Sequence, residues 1–337
     1  MDKTLRRWPL SRAVASEGEA IHTQKMMLER LKADPTGSRL AFMTSGVGPI
    51  VVPWEGGEEL FLDGFYENPQ ALAWDADGRW IAAGGGGSLP EEAVIKLWDL
   101  QGTPTRDIAE AGETYTVMPS VSTLDAQDGK AIRDLQFLAD GDLLSAGLDG
   151  LRRWSVADAE FEQLLADPAR KLALSTEETL LAVGLGPGGL LGSGPVRLLD
   201  LTTGARREVP SHGDLCIDLA LDPSGQILVT GDERGVVRVG RVDGSEPHLL
   251  LGHTGPVQAV AISADGQWIA SAGSDTTIRL WPMPDLSQPP LHTLPREELL
   301  ARLHRLTNLR AAEDPESDTG WSIEIGPFSG WAEVPGW

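Results

Sequence analysis

One cysteine, Cys216, stands among 337 residues, so no internal disulfide can form and no cysteine spacing for a metal exists. It lies in the apolar run Leu215-Cys216-Ile217-Asp218-Leu219-Ala220, where a buried, inert thiol is expected rather than a nucleophile. No apolar run is long enough to span a bilayer as a helix, and no charged-then-apolar leader opens the chain. A soluble, cytoplasmic protein is therefore expected, without a membrane partner. Positive charge is scarce, with 28 Lys and Arg against 50 Asp and Glu and a formal net charge of −22. Nucleic acid is thus an unfavourable main partner, because phosphate neutralisation takes clustered cations. The stretch from Met1 to Ala33 is locally basic through Lys3, Arg6, Arg7, Arg12, Lys25, Arg30 and Lys32, a bias read as ordinary surface charge.

Catalytic motifs are missing as well. Gly129-Lys130 is followed by Ala131, so it is no phosphate loop, and no Gly-x-Ser-x-Gly elbow occurs. Gly184, Gly186 and Gly189 match a dinucleotide fingerprint as a string. The next element is the strand-like Val196 to Leu201 rather than the helix whose N–H groups would hold pyrophosphate. Asp75-Ala76-Asp77-Gly78 lacks the downstream carboxylates of a calcium loop. The six histidines show no paired ligand spacing. No catalytic residue, cofactor or metal is expected.

What the chain has is turns: 39 glycines and 23 prolines against 41% hydrophobic residues. Asp34-Pro35-Thr36-Gly37, Asp75-Ala76-Asp77-Gly78, Ala139-Asp140-Gly141, Asp222-Pro223-Ser224-Gly225 and Ala264-Asp265-Gly266 each separate two apolar segments. Such residues suit hairpins because they accept φ > 0 or bond their own backbone. The turn glycines keep one interval from Gly37 to Gly78 and the same interval from Gly225 to Gly266, while Gly78 to Gly141 is half as long again. A sixth turn, Ser175-Thr176-Glu177-Glu178, lies between Gly141 and Gly225 and has no glycine. After each turn comes a small-residue apolar strand, such as Trp80-Ile81-Ala82-Ala83 or Trp268-Ile269-Ala270-Ser271, and then a third strand, clearest as Val94 to Asp99. Six repeats of this pattern predict an all-β array.

The last repeat carries more. Gly252-His253, an apolar strand, the turn at Gly266, Trp268 to Ser271, Asp275 and Ile278-Arg279-Leu280-Trp281 follow in order. This resembles one WD-repeat, the four-stranded blade of a β-propeller, with its early Gly-His and late Trp-Asp. The resemblance implies a structural tetrad of His253, Ser271, Asp275 and Trp281, and a rigid array that binds partners rather than transforming them. His212 opens the preceding repeat in the same way. That repeat keeps Thr230 but has Arg234 and Gly240 where the Asp and Trp belong. Asp2 to Leu10 aligns without gaps on Asp275 to Met283, so the first residues read as a third strand. Ring closure by a composite blade explains this, as does a split from a longer ancestral protein. The expected fold is a seven-bladed WD-repeat β-propeller over residues 1–285: six full repeats plus one composite of N- and C-terminal strands. A small C-terminal extension, residues 286–337, follows as a cap. In it Pro295 to Arg310 reads as an amphipathic helix, with Leu299, Leu303 and Leu306 on one face, and Trp321 to Ile325 as a strand.

Three insertions interrupt the repeats: residues 84–92, residues 184–195, and roughly 101–128. In WD-repeat propellers, links from second to third strand share a rim with links from the outer strand to the next blade. The first two insertions would lie on that rim, and the third also if its extra residues follow the outer strand. Candidate partner-binding positions are Gly84, Gly87, Leu89, Glu91, Tyr115, Met118, Gly186, Gly189, Leu190 and Ser193. The alternative is tolerated decoration. Leu299-Leu300-x-x-Leu303 through Thr307-Asn308-Leu309-Arg310, and the ending Gly326-Pro327-Phe328-Ser329-Gly330-Trp331, also look like the tail that follows WD-repeat arrays in large modular bacterial signalling proteins. The expected function is a non-catalytic scaffold or sensor that binds a protein partner. Its alternatives are a regulatory subunit split from a catalytic protein, and an enzyme working through the central channel.

Overall fold

The turns set the strand pairing. In the computed structural model, Gly37, Gly78, Gly141, Gly225 and Gly266 all take left-handed φ between 66° and 91°, which an L side chain adopts only at a cost of roughly 1–2 kcal/mol. The sixth turn accepts that cost, with Glu178 at φ 53° and its carboxylate receiving the Ala139 N–H at 2.8 Å. The leading aspartates close their turns through the side chain. One Asp34 oxygen accepts the N–H groups of Ser38 and Arg39, and one Asp222 oxygen accepts those of Gln226 and Ile227.

The structure describes residues 4–7, 19–23, 28–44, 48–55, 57–63, 69–86, 93–104, 106–110, 113–125, 131–186, 194–213, 215–299, 301, 309–313 and 321–325. The chain divides into two compact units, Met1–Glu208 and Val209–Trp337.

In the first unit, β1 (Thr4–Arg7) and β2 (Glu19–Thr23) form an antiparallel pair. The next sheet runs β3 (Leu28–Ala33), β4 (Arg39–Thr44), β5 (Gly48–Pro53) and β6 (Leu60–Leu62). The following one is β7 (Pro69–Trp74), β8 (Trp80–Gly85), β9 (Val94–Asp99) and then β12 (Ser122–Asp125). Between β9 and β12 the chain makes a hairpin, β10 (Arg106–Glu110) and β11 (Glu113–Met118), and β11 adds parallel to β6. Two four-stranded meanders complete the unit. They are β13 (Ile132–Phe137), β14 (Leu143–Gly147), β15 (Gly150–Ser155) and β16 (Glu160–Leu165), then β17 (Ala169–Leu174), β18 (Leu180–Leu185), β19 (Val196–Asp200) and β20 (Arg206–Glu208).

The second unit holds the meander β21 (Cys216–Leu221), β22 (Ile227–Asp232), β23 (Val236–Arg241) and β24 (His248–Leu251). The three-stranded β25 (Val257–Ile262), β26 (Trp268–Gly273) and β27 (Ile278–Pro282) follow, then the antiparallel pair β28 (Leu309–Glu313) and β29 (Trp321–Ile325). Residues 296–299 and 301 are helical, but Leu309 and Arg310 pair across to Ile325 and Glu324. The helix expected to reach Arg310 therefore stops earlier, because cross-strand pairing outweighs the leucine periodicity that favoured a helix.

Within each unit successive sheets stack face to face. Ile81, Trp98, Leu72 and Met43 form one interlayer core and Ile95, Leu124, Ile132 and Trp154 the next. Leu144, Leu181 and Leu199 form a third, and Val229, Val257 and Ile269 a fourth in the second unit. Fully burying each such side chain is worth roughly 1.5–3 kcal/mol, so a sheet is stable only beside a neighbour.

Candidate functional site

The last full repeat brings the four sequence-flagged side chains together. Trp281 Nε1 donates to Ser271 Oγ at 2.8 Å, and Ser271 Oγ lies 2.8 Å from His253 Nε2. His253 Nδ1 sits 3.0 Å from both Asp275 oxygens. A carboxylate can only accept, so Nδ1 carries the proton, Nε2 accepts from the serine hydroxyl, and the four groups form a directed relay. Burial works to raise the Asp275 carboxyl, but the Thr254 N–H, the Thr277 hydroxyl and N–H, and His253 outweigh it. They hold the group far below the usual carboxylate range. The relay ties the approach to β25 to the turn between β26 and β27. The arrangement holds these segments together as a clamp.

The other repeats keep fragments of it. Trp154 Nε1 donates to Ser145 Oγ at 2.8 Å. Trp98, whose repeat has Ala83 in place of the serine, donates instead to the Asp63 carbonyl at 3.2 Å. His212 Nδ1 lies 3.0 Å from Thr230 Oγ1, and its Nε2 has no partner among the described residues. That nitrogen faces Gly240, where a Cβ would come within 3.0 Å of it. Burial, and then the Arg238 charge, push His212 down to about 3. Asp232 replaces the clamp here, accepting the N–H groups of Arg234 and Val236 and pairing with Arg238. The two solutions exclude each other. The residue matching Asp232 in the last repeat is Gly273, where even a Cβ would lie 2.5 Å from His253 Nδ1.

The sequence reading missed a second recurring device. Asp134 accepts the Leu172 N–H of the next inner strand at 2.9 Å, and Asp218 accepts that of Val260 at 2.9 Å. Their only sequence signal is an aspartate inside an apolar strand, a few positions before its turn begins.

The candidate partner-binding positions divide. Gly84 is not in a loop: it lies buried in β8, and a Cβ there would meet Ile132 at 2.8 Å. Gly186 is buried against the inner strand of its own sheet, its N–H donating to the Pro168 carbonyl at 3.0 Å. Met118 is 3% exposed and packs with Leu62 and Trp98. It is a core residue because β11 covers β6. Tyr115 lies on β11 opposite Ile108. Gly87, Leu89, Glu91, Gly189, Leu190 and Ser193 lie outside the described residues. The third insertion precedes the outer strand β12 rather than following it, so the condition for placing it with the other two fails. Its hairpin edges a sheet instead. The links from β8 to β9 and from β18 to β19 do leave from the same end of their sheets, the end at which the inner strand begins.

Among the described residues no group of three or more His, Cys, Asp or Glu could hold a metal. No helix there is long and apolar enough to cross a membrane.

Comparison with known proteins agrees with this geometry. Residues 244–282 match the family model described as WD domain, G-beta repeat. Mouse Telomerase protein component 1 is 30% identical over 237 residues, 66% of this chain and 8% of that protein. An uncharacterized WD repeat-containing protein of Synechocystis is 46% identical over 66 residues, 19% of each chain. The chain thus spans less than a quarter of the length of either of these relatives. A β-propeller chain in the crystal structure of a mitotic checkpoint complex superposes with a TM-score of 0.63 at 17% identity, covering 84% of this chain and 82% of that one. That likeness speaks for the fold alone.

Proposed function

We propose that this chain is a non-catalytic protein-binding scaffold or sensor, built as a seven-bladed WD-repeat propeller, whose partner docks on the rim where the inner strands begin. The observation that carries this reading is the pair of long links at residues 86–93 and 186–195. Both occupy the same connection, whereas the links from β14 to β15 and from β22 to β23 are tight turns. Loops that lengthen at one end of a rigid array place recognition there. The clamp at His253 and the aspartate ties between inner strands hold the scaffold together.

Six sheets supply six blades. The seventh is proposed as a composite of β28–β29 with β1–β2, four strands in all, so that residues after 286 help close the array as well as cap it. Support comes from the sheet β25–β27, which leaves Trp268, Ile278 and Leu280 at least half exposed, an apolar face that calls for a cover. A cytoplasmic setting in bacterial signalling or defence accords with the Synechocystis relative and with the tail's resemblance.

Affinity purification of the tagged chain from its native cell tests the docking reading, beside a variant with residues 87–92 and 187–193 replaced by tight turns. A stoichiometric partner captured by the parent and lost from the variant is the expected result. A partner kept by both would move the contact elsewhere and overturn it.

A further inference from the structure

The sheet β25–β27 stops one strand short. The sheets built on β9, β15, β19 and β23 each continue into an outer strand, β12, β16, β20 or β24, whereas β27 pairs only with β26 among the described residues. The β26–β27 ladder fixes what the open edge offers. The Gly273 N–H donates to the Thr277 carbonyl at 3.1 Å, and the Met283 N–H to the Gln267 carbonyl at 2.8 Å. An antiparallel ladder alternates, so Ile278, Leu280 and Pro282 turn their backbone groups outward, away from β26. In β9 the carbonyl of Leu97, which matches Leu280, receives the Val121 N–H from just before β12 at 2.8 Å. Pro282 brings no N–H, so strand addition to this edge ends there.

A cation recurs on these third strands. Lys96, Arg152, Arg197, Arg238 and Arg279 each stand two residues before the position that Trp98, Trp154 and Trp281 occupy. Three of the four arginines have a carboxylate: Arg152 pairs with Asp149, Arg197 with Asp167 and Glu208, and Arg238 with Asp232. The outer strand contributes to this. Arg152 lies opposite Gln163 and donates to its side-chain oxygen at 3.1 Å, and Arg197 lies opposite Glu208. Arg279 Nε is buried without a hydrogen-bond partner, and no carboxylate pairs with this guanidinium among the described residues. Three of the outer strands also place a leucine opposite the residue before the cation: Leu124 against Ile95, Leu165 against Leu151, and Leu250 against Val237. The matching residue on β27 is Ile278, which is 71% exposed.

We infer that the outer edge of β27 is a strand-addition site for an acidic, extended segment of a partner protein. The added strand runs antiparallel to β27, with a carboxylate residue opposite Arg279 followed at once by an apolar residue opposite Ile278. Glu208 and the buried Val209 keep the same order at the end of β20. Main-chain bonds to Ile278 and Leu280 supply affinity, and Arg279 selects the acid. The chain's own next residues are held elsewhere. His248 Nε2 donates to the Gln288 carbonyl at 3.1 Å, and His292 Nε2 lies 3.1 Å from Glu246. These contacts tie residues 288–292 to β24 and its approach rather than to β27. A second copy of the chain fits worse. Pairing two β27 strands about Arg279 sets like charges opposite each other, and pairing them about Leu280 sets Pro282 against Ile278.

The test follows amide exchange at Ile278 and Leu280 in the full-length chain as peptides are added. The probes are a capped threonine-valine peptide with a central glutamate-leucine pair, its lysine-leucine counterpart, and the glutamate peptide N-methylated at alternate amides. Saturable protection by the glutamate peptide is expected, about fivefold weaker for the lysine peptide and absent after N-methylation. Arg279→Gln should remove the preference for glutamate while Arg279→Lys keeps part of it, a pattern that lost packing alone does not produce. Leu280→Pro deletes an outward N–H that β26 does not use, so it should abolish protection at Ile278 while β21–β24 exchange as before. Equal binding of the two charges would overturn the acidic partner, and no saturable protection would overturn the site. Protection already present without peptide would mean that a segment of this chain fills the edge. Protection that rises with protein concentration alone would mean that a second copy does, and either result overturns the inference. The variant with shortened links should bind the glutamate peptide as the parent does, so failure of the rim and failure of this edge are told apart.

Discussion

The Ser271 hydroxyl is the pivot of the clamp, accepting from Trp281 while donating to His253. Ser271→Ala would strand two buried nitrogens at once, so it should cost about 1–3 kcal/mol, read as a lowered urea midpoint with an unchanged slope. An unaffected midpoint would show that the relay contributes little. His212 makes a different prediction, about pH. Its folded pKa of about 3 lies below the ordinary value of 6.5, so the unfolded chain binds the extra proton between them. Stability from this group is complete above about pH 6.5 and is lost as pH falls, by up to about 1.4 kcal/mol per pH unit. His212→Gln should flatten that slope between about pH 6.5 and 5, above the carboxylate range, and an equal slope in both proteins would place the effect elsewhere. The tetrad was legible because its four residues keep fixed offsets from a turn glycine. The compensation around Asp232 was not legible, because an ion pair with the nearby Arg238 has no signature apart from ordinary surface charge.

At the scale of elements, the hairpin β10–β11 decides how the first four-stranded sheet ends. Without it β6 would present a short stretch of unpaired backbone, an edge open to other chains. Replacing residues 103–117 by a short turn should speed amide exchange at Leu60–Leu62 and promote self-association, while β7 to β9 keep their protection. Protection unchanged at β6 would mean that the parallel pairing is dispensable. Met118→Ala, which keeps the hairpin but empties a core position, should cost about 2–5 kcal/mol, read from the same urea midpoint. The long interval between Gly78 and Gly141 announced an insertion but not its place. β12 offers only Leu124 to the core, too weak a pattern to read as an outer strand. The partner of β11 belongs to the preceding repeat, and no local periodicity encodes such a pairing. The helix assigned through Arg310 failed for the same reason, since β28 exists by pairing with β29.

For the whole molecule, the repeat count was read from turns and strand triplets, but closure depends on segments at opposite ends of the sequence. A repeat array is stabilised by its interfaces, so each added neighbour is felt next door and fades with distance. If β1–β2 complete a blade with β28–β29, removing residues 1–23 should loosen the sheet β25–β27, which lies near the other end of the sequence. Hydrogen exchange should rise across Val257–Pro282, Trp268 fluorescence should shift toward that of a hydrated indole, and the protein should bind an apolar dye. The first unit provides the internal control. Its sheets from β7 to β20 have neighbours within the same stretch of chain, so their exchange should change little. Loosening confined to β3–β6, with β25–β27 unaffected, would mean that the N-terminal pair serves only its sequence neighbour. The Trp268, Ile278 and Leu280 face would then need a different cover.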